Sequence, residues 1–169
     1  MPGRPTLTLF CGLPGSGKTT LARRLEADGA GLRLCTDDWQ HAIGIGWDDP
    51  DGHERLQVVL REHAFALLDS GVDVILEDGL WLAAERTAMF AAGREHGARL
   101  AWHLLDTDPD TLWHRLEQRN ATAASGAYPL TRADLDSARS VFEPPTDAEL
   151  DAVDEAWRHR PDGSAERLR

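Results

Sequence analysis

Between residues 12 and 19 the chain reads Gly12-Leu13-Pro14-Gly15-Ser16-Gly17-Lys18-Thr19, which fits the pattern G-x-x-x-x-G-K-[ST] at every fixed position. Such a loop works only where a strand hands over to a helix N-terminus, because its backbone N–H groups must curl around an anion at the positive end of the helix dipole. The flanks agree with that geometry. Leu7 to Cys11 is a short apolar, β-prone run, and between Lys18 and Asp28 the residues Leu21, Ala22 and Leu25 recur at helical spacing. Glycines permit the curl, Lys18 adds a mobile positive charge and Thr19 offers a hydroxyl to Mg2+. Gly12, Pro14, Gly15, Ser16, Gly17, Lys18, Thr19 and Thr20 are therefore the expected cradle for the phosphates of a nucleotide.

At 169 residues the chain has the size of one domain that can bury a core without staples. No apolar run approaches the roughly 18 residues of a membrane span. Met1-Pro2-Gly3-Arg4-Pro5 leads straight into the first strand, so no secretion signal is expected and the cytoplasm is the expected compartment. Lys and Arg total 18 against 29 Asp and Glu, a formal charge of -11. That excess argues against an extended grip on a nucleic-acid backbone, although a local groove for a 5′ end remains open. Cys11 and Cys35 end the first two expected strands, which suits buried thiols rather than a disulfide framework or metal cluster.

Apolar runs then alternate with helical patterns. Gly31 to Thr36 reads as a second strand ending in Asp37-Asp38. Leu56, Val59, Leu60, His63, Ala64, Leu67 and Leu68 mark an amphipathic helix from Glu54 to Asp69, with His63 on its apolar stripe as a core histidine. Val72 to Leu76 is a third strand ending in Glu77-Asp78-Gly79, followed by a helix from about Leu82 to His96. Arg99 to Asp106 is a fourth strand, and Asp108-Pro109 starts a helix with an acidic cap. Arg119 to Tyr128 is small and polar and reads as a flexible segment, a lid near residues 119–130. Thr131 caps a further helix with Asp134 three residues on, a weak fifth strand lies near Ala152 to Glu155, and residues 158–169 read as a charged, frayed tail behind a single domain over 1–157. The alternation predicts an α/β fold, a parallel sheet of about five strands covered on both faces, with every strand C-terminus on one edge.

That edge collects the residues suited to phosphate chemistry. Asp37, at the tip of the second strand, is placed to take a proton from an acceptor hydroxyl while Lys18 and Mg2+ neutralise developing charge. Both Asp37 and Asp38 could equally cap a helix, and Asp38 is the partner left to the metal. Glu77-Asp78 stands where an acid holds Mg2+ directly or through water, with Asp78 the expected ligand or an acceptor contact. Arg115 and Arg119 lie four apart on one helix beside the flexible segment, as closing arginines would, and Arg132 and Arg139 follow on the next helix, Arg132 with Asp136 as an i,i+4 partner. Trp47, with Asp48, Asp49 and Asp51, forms the expected wall of an acceptor pocket; a solvated loop is the plainer alternative.

Taken together, Cys-Gly-Leu-Pro-Gly-Ser-Gly-Lys-Thr-Thr, Thr-Asp-Asp-Trp, Val-Ile-Leu-Glu-Asp-Gly-Leu-Trp with Ala-Glu-Arg, Leu-Asp-Thr and Arg-Leu-Glu-Gln-Arg-Asn resemble the P-loop kinases that include phage polynucleotide kinase, zeta toxins and chloramphenicol phosphotransferase. The resemblance runs from about Thr6 to Pro145. It implies the three-layer P-loop NTPase fold with sheet order 2-3-1-4-5 and a helical lid, Asp37 as general base, Lys18 and Thr19 as phosphate and Mg2+ ligands, and Arg119 as the lid arginine. Unlike the polynucleotide kinases, this chain has no basic residue from Ala121 to Ala127. The expected activity is transfer of the γ-phosphoryl group of ATP, with Mg2+, to a hydroxyl of a small molecule by a monomer or homodimer. A polynucleotide 5′-hydroxyl kinase is the rival within the class. A nucleotide-driven switch or ATPase is the rival outside it, weakened by the lack of an Asn-Lys-x-Asp guanine-reading motif.

Overall fold

From Leu7 onward, every residue of strand β1 (Thr6–Cys11) is buried, Leu7, Leu9 and Cys11 in one apolar cluster and Phe10 in another. Burial of successive residues, Thr8 included, suits a central parallel strand covered on both faces. The computed structural model describes residues 3–122 and 128–169. β1 pairs in parallel with β3 (Val74–Leu76) and β4 (Arg99–Leu105), β3 pairs with β2 (Leu32–Leu34), and β4 pairs with β5 (Glu155–His159). The sheet order is β2-β3-β1-β4-β5-β6, so the third strand lies between the first and second as expected.

The two faces carry different helices. On one, Ala64 and Leu68 of α3 (Pro50–Asp69) and Met89 and Phe90 of α4 (Ala83–Glu95) pack with Leu7, Leu9, Leu100 and Trp102. On the other, Leu21 and Ala22 of α1 (Lys18–Ala27) meet Phe10, Ile75 and Leu105. A third cluster joins Leu112 and Leu116 of α5 (Pro109–Ala121) to Leu135 of α6 (Arg132–Val141), with Leu13 of the phosphate loop packed against it. The expected caps are present: Asp108 accepts from the Thr111 N–H at 2.9 Å, and Thr131 and Asp134 form a reciprocal capping box.

Four expectations shift. The last residues are ordered as a hairpin, because β5 runs from Glu155 to His159, not 152 to 155, and β6 (Ala165–Arg167) pairs with it antiparallel, adding a sixth strand where a frayed tail was expected. All three β6 residues are exposed, so no apolar period announced it. α3 starts at Pro50, four residues early, since Asp49 caps the Gly52 N–H at 2.8 Å and proline sits in the first turn. Its buried row is Leu56, Leu60, Ala64 and Leu68, and His63 is exposed. α5 continues through Arg119 to Ala121; residues 123–127, the middle of the expected lid, lie outside the described residues.

Cys11 and Cys35 are free and buried, two strands apart, and burial pushes their thiols up to about 11 and about 12. Among the described residues, no helix is long and apolar enough to cross a membrane.

Arg86 occupies the core stripe of α4 and is fully buried. Its Nε meets Glu149 of α7 (Asp147–Leu150) at 2.6 Å, and its Nη1 donates to the carbonyls of Leu80 (3.1 Å) and Trp81 (3.0 Å). Removing one partner of a buried pair strands the other charge, so Arg86→Met should cost about 3–5 kcal/mol in urea denaturation. A loss under about 1 kcal/mol would show that this pair does not hold the β3 tip. Ellman's reagent should leave both thiols unmodified in the native protein and titrate both after unfolding.

Candidate active site

The phosphate loop takes its shape from two backbone positions. Gly15 (φ +83°) and Gly17 (φ +101°) adopt the left-handed region, and a Cβ on Gly15 would also stand 2.9 Å from the Leu112 carbonyl oxygen. The sheet anchors the loop: the Gly12 N–H donates to the Gly79 carbonyl (3.1 Å), and the Trp81 indole N–H donates to the Gly12 carbonyl (3.1 Å). Lys18 Nζ spans the loop to the carbonyls of Gly12 (2.9 Å) and Leu13 (3.0 Å). Burial pulls its pKa down, while the charges of Glu77 and Asp37 push it back up. Pro14 is half-buried within the loop turn and Thr20 is exposed on α1.

Successive residues at a strand end point to opposite sides, so Glu77 and Asp78 cannot both face the loop. It is Glu77 that accepts from Thr19 Oγ1, and its other oxygen pairs with Arg33 Nε at 2.6 Å. Asp78 instead accepts from Thr36 Oγ1 (3.2 Å) and from Arg61 Nε (3.3 Å). Asp38, the other expected metal ligand, pairs with Arg33 Nη1 at 2.7 Å and with Arg23 Nη2 at 3.7 Å. Both carboxylates assigned to the metal from the sequence thus meet arginines, and the acid beside Thr19 is Glu77.

α2 (Thr36–Ala42) begins at the tip of β2, with Asp37 and Asp38 in its first turn. Asp37 is exposed at its tip, yet desolvation by the protein packed around it raises its pKa above the ordinary carboxylate value; Asp78 and Asp38 add to the rise, and His53 and Lys18 oppose it. Arg119, in the last turn of α5, feels the Asp37 charge against the downward pull of its own burial. Its Nη2 donates to the Tyr128 carbonyl at 3.2 Å, while its Nε is buried without a partner among the described residues. Arg115 Nη1 reaches the Ser16 carbonyl (3.4 Å) and Nη2 the Pro161 carbonyl in the β5–β6 turn (3.1 Å). Arg132 and Arg139 are engaged elsewhere: Arg132 pairs with Asp110 (3.9 Å), not Asp136, and Asp136 pairs with Arg139 (3.4 Å).

On the acceptor side, Trp47 stands 6.0 Å from Tyr128 between ring centroids, which brings the α2–α3 loop to the segment that follows α5. Buried Gln40 braces that loop, donating to the Gly46 carbonyl (3.0 Å) and facing His53 Nδ1 (2.7 Å). Asp49 is spent on its cap.

The residues suit a phosphate chain with a hard divalent ion. Ser16 Oγ, inside the loop, and Arg119 Nε are buried polar atoms without partners, as groups reserved for anionic oxygens are. Thr19 and Glu77 offer two oxygen ligands, and the described residues hold no cluster of three or more His, Cys, Asp or Glu for a metal. Mg2+ suits such a sparse set, since it keeps waters and takes substrate phosphate oxygens. Sequence reasoning gave no role to Arg33, Arg61, Trp81 or Arg86. For Arg86 a signal existed: it falls at helical spacing with Met89, Phe90 and Gly93 on a core stripe. Arg61 lies one residue beyond the buried Leu60 and carried no such mark.

A family model described as an AAA domain matches residues 7–145. Among solved structures, a Chloroflexus aurantiacus protein described as a candidate kinase is 25% identical, with TM-score 0.67, covering 84% of this chain and 79% of that one. The Mycobacterium tuberculosis APS kinase, solved with AMPPNP and APS, is 24% identical with TM-score 0.61, covering 96% and 92%. A chain of the Pnkp1/Rnl/Hen1 RNA repair complex is 22% identical with TM-score 0.70; the match covers 83% of this chain and only 44% of that one. The last two likenesses concern the fold.

Lys18 is the single lysine of the chain, so an amine-directed reagent reports on the loop through one side chain. Mg·ATP should suppress labelling of Lys18, read by peptide mass spectrometry, and adenosine should not. Labelling indifferent to Mg·ATP would remove Lys18 from the phosphate site.

Proposed function

Because the chain belongs to the AAA_33 family of AAA domains, whose model spans residues 7–145, we propose that it is an ATP- and Mg2+-dependent phosphotransferase acting on a hydroxyl of a small molecule. The observation that carries this reading is the place of Asp37, exposed in the first turn of α2 at a strand tip that the Thr19–Glu77–Arg33–Asp38 chain ties to the phosphate loop. A carboxylate so placed, with no salt bridge of its own among the described residues, suits a base better than an ion-pair partner. The structural likeness to a Chloroflexus aurantiacus protein described as a candidate kinase supports the same reaction class.

In this mechanism Asp37 accepts the proton of the acceptor hydroxyl as its oxygen bonds to the γ-phosphorus. The bond from that phosphorus to the β,γ-bridging oxygen breaks, and ADP carries away the bond's electron pair. Lys18 and Arg119 would neutralise the oxygens that gain charge, and Arg115 steadies the loop through the Ser16 carbonyl. Thr19 and Glu77 would hold Mg2+, which when bound supplies further charge neutralisation between the phosphates.

The second reading, a polynucleotide 5′-hydroxyl acceptor, comes from the resemblance of the motifs to phage polynucleotide kinase. Against it stand the formal charge of -11 and the absence of basic residues from Ala121 to Ala127.

Asp37→Asn should lower transfer from γ-labelled ATP to the productive member of a pooled hydroxyl-compound and 5′-hydroxyl oligonucleotide screen by about 10²–10⁴-fold, with ATP affinity kept. Retained transfer would end the assignment of the base. The raised pKa also fixes two signs. Transfer should decline as pH falls through a value above the model-compound 3.8, because the base becomes protonated. The folded state binds that proton more tightly than the unfolded chain, a stabilisation present below pH 3.8 and lost as pH rises through the folded pKa; Asn at neutral pH should therefore leave Tm unchanged or higher.

A further inference from the structure

The acids around Asp37 would by themselves draw a cationic acceptor, and Asp78 looks like one of them. Its bonding says otherwise. The Asp78 side chain is only 5% exposed, and its two oxygens are taken separately, one by the Thr36 hydroxyl beside the base and one by Arg61 Nε. Held by two donors in a buried setting, the Asp78 carboxylate orients the groups that bond to it. What it orients is Arg61.

Arg61 spends only Nε on Asp78. Among the described residues, Nη1 and Nη2 make no hydrogen bond, neither is sealed from solvent, and the side chain is 27% exposed. Arg33, by contrast, uses Nε and Nη1 on Glu77 and Asp38 and is 9% exposed. Arg61 is thus a guanidinium anchored from behind, with two donors in the planar geometry that matches a carboxylate or phosphate. Its anchor, Asp78, is bonded to the residue that precedes Asp37, and the charge of Asp78 reaches Asp37 itself.

We propose that Arg61 reads an anionic group on the phosphate acceptor, so that the substrate is a hydroxyl compound bearing a carboxylate or phosphate, with Asp78 as the residue that positions Arg61. This deepens the phosphotransferase reading and rests on it. The anion would sit against Nη1 and Nη2, leaving the hydroxyl to Asp37, and its charge would offset the positive charge that Arg61 adds beside the base.

The test compares wild type, Arg61→Gln and Arg61→Lys in two ways. In the first, proteins saturated with Mg·AMPPNP, so that the loop is filled, are titrated with inorganic phosphate and followed by tryptophan fluorescence. Wild type should bind, Gln should weaken binding at least tenfold, and Lys should fall between because it keeps the charge and loses the fork. In the second, transfer from γ-labelled ATP is measured on matched neutral and acidic acceptors: glycerol with glycerate, glucose with gluconate, and a nucleoside with its 3′-phosphate. Acidic members should be preferred, and Gln should raise KM for them at least tenfold with KM for ATP and kcat little changed. Phosphate binding that is absent in wild type or unaltered in Gln, preference for neutral members, or an equal loss for both members overturns the proposal. A protein that holds AMPPNP but not phosphate loses the Arg61 assignment alone; one that fails to hold AMPPNP loses the phosphotransferase reading and this proposal with it.

Discussion

Glu77 divides its oxygens between Thr19 at the start of α1 and Arg33 on β2, and Arg33 reaches on to Asp38 in the first turn of α2. Four side chains from four elements thus form one line across the edge of the sheet. Arg33 and Glu77 are 9% and 4% exposed, and in that setting the charges cannot separate without leaving one of them unsolvated. Burial opposes the Arg33 charge, but its bonds to Asp38 and Glu77 outweigh that and hold its pKa above the ordinary value. The consequence is geometric. The tip of β2, which carries Asp37, cannot drift from the loop that carries Lys18, and phosphoryl transfer depends on that separation.

The loop is fixed from its other side by groups that do no chemistry. Leu80 has φ +43°, a conformation that costs a residue with a Cβ roughly 1–3 kcal/mol and persists only when its surroundings demand it. Here the buried Arg86 supplies the demand by donating to the carbonyls of Leu80 and Trp81 while Glu149 compensates its charge. The turn so held brings the Trp81 indole onto the Gly12 carbonyl, the same oxygen that Lys18 reaches. An arginine on a core stripe is therefore the far end of a lever whose near end is the lysine of the phosphate loop.

The contrast between these two supports shows why some of the site could be read from sequence and some could not. The parallel sheet and its order follow from apolar runs alternating with helical spacing, and the loop follows from local backbone chemistry confined to eight residues. Both are short-range signals. The choice of Glu77 over Asp78 depends on which way the end of β3 faces, and a strand of three buried residues, Val74, Ile75 and Leu76, carries no alternation to reveal it. Asp38 looks like a metal ligand until Arg33, five residues earlier on another element, is folded against it. The β5–β6 hairpin escaped for the opposite reason, since an edge strand with three exposed residues has no buried face to leave a period.

The distribution of positive charge adds a constraint on what the site admits. The chain is acidic overall, at -11, yet Lys18, Arg33, Arg61, Arg115 and Arg119 all sit at or beside the strand tips. Asp38, Glu77 and Asp78 pair with Arg33 and Arg61 there, so an anion meets only the donors these pairs leave unspent, and screening confines each charge to about 8–10 Å at physiological salt. With a net charge of -11, the protein offers the further phosphates of a long polyanion no general attraction. On the phosphotransferase reading proposed above, that charge pattern favours short ligands over extended ones.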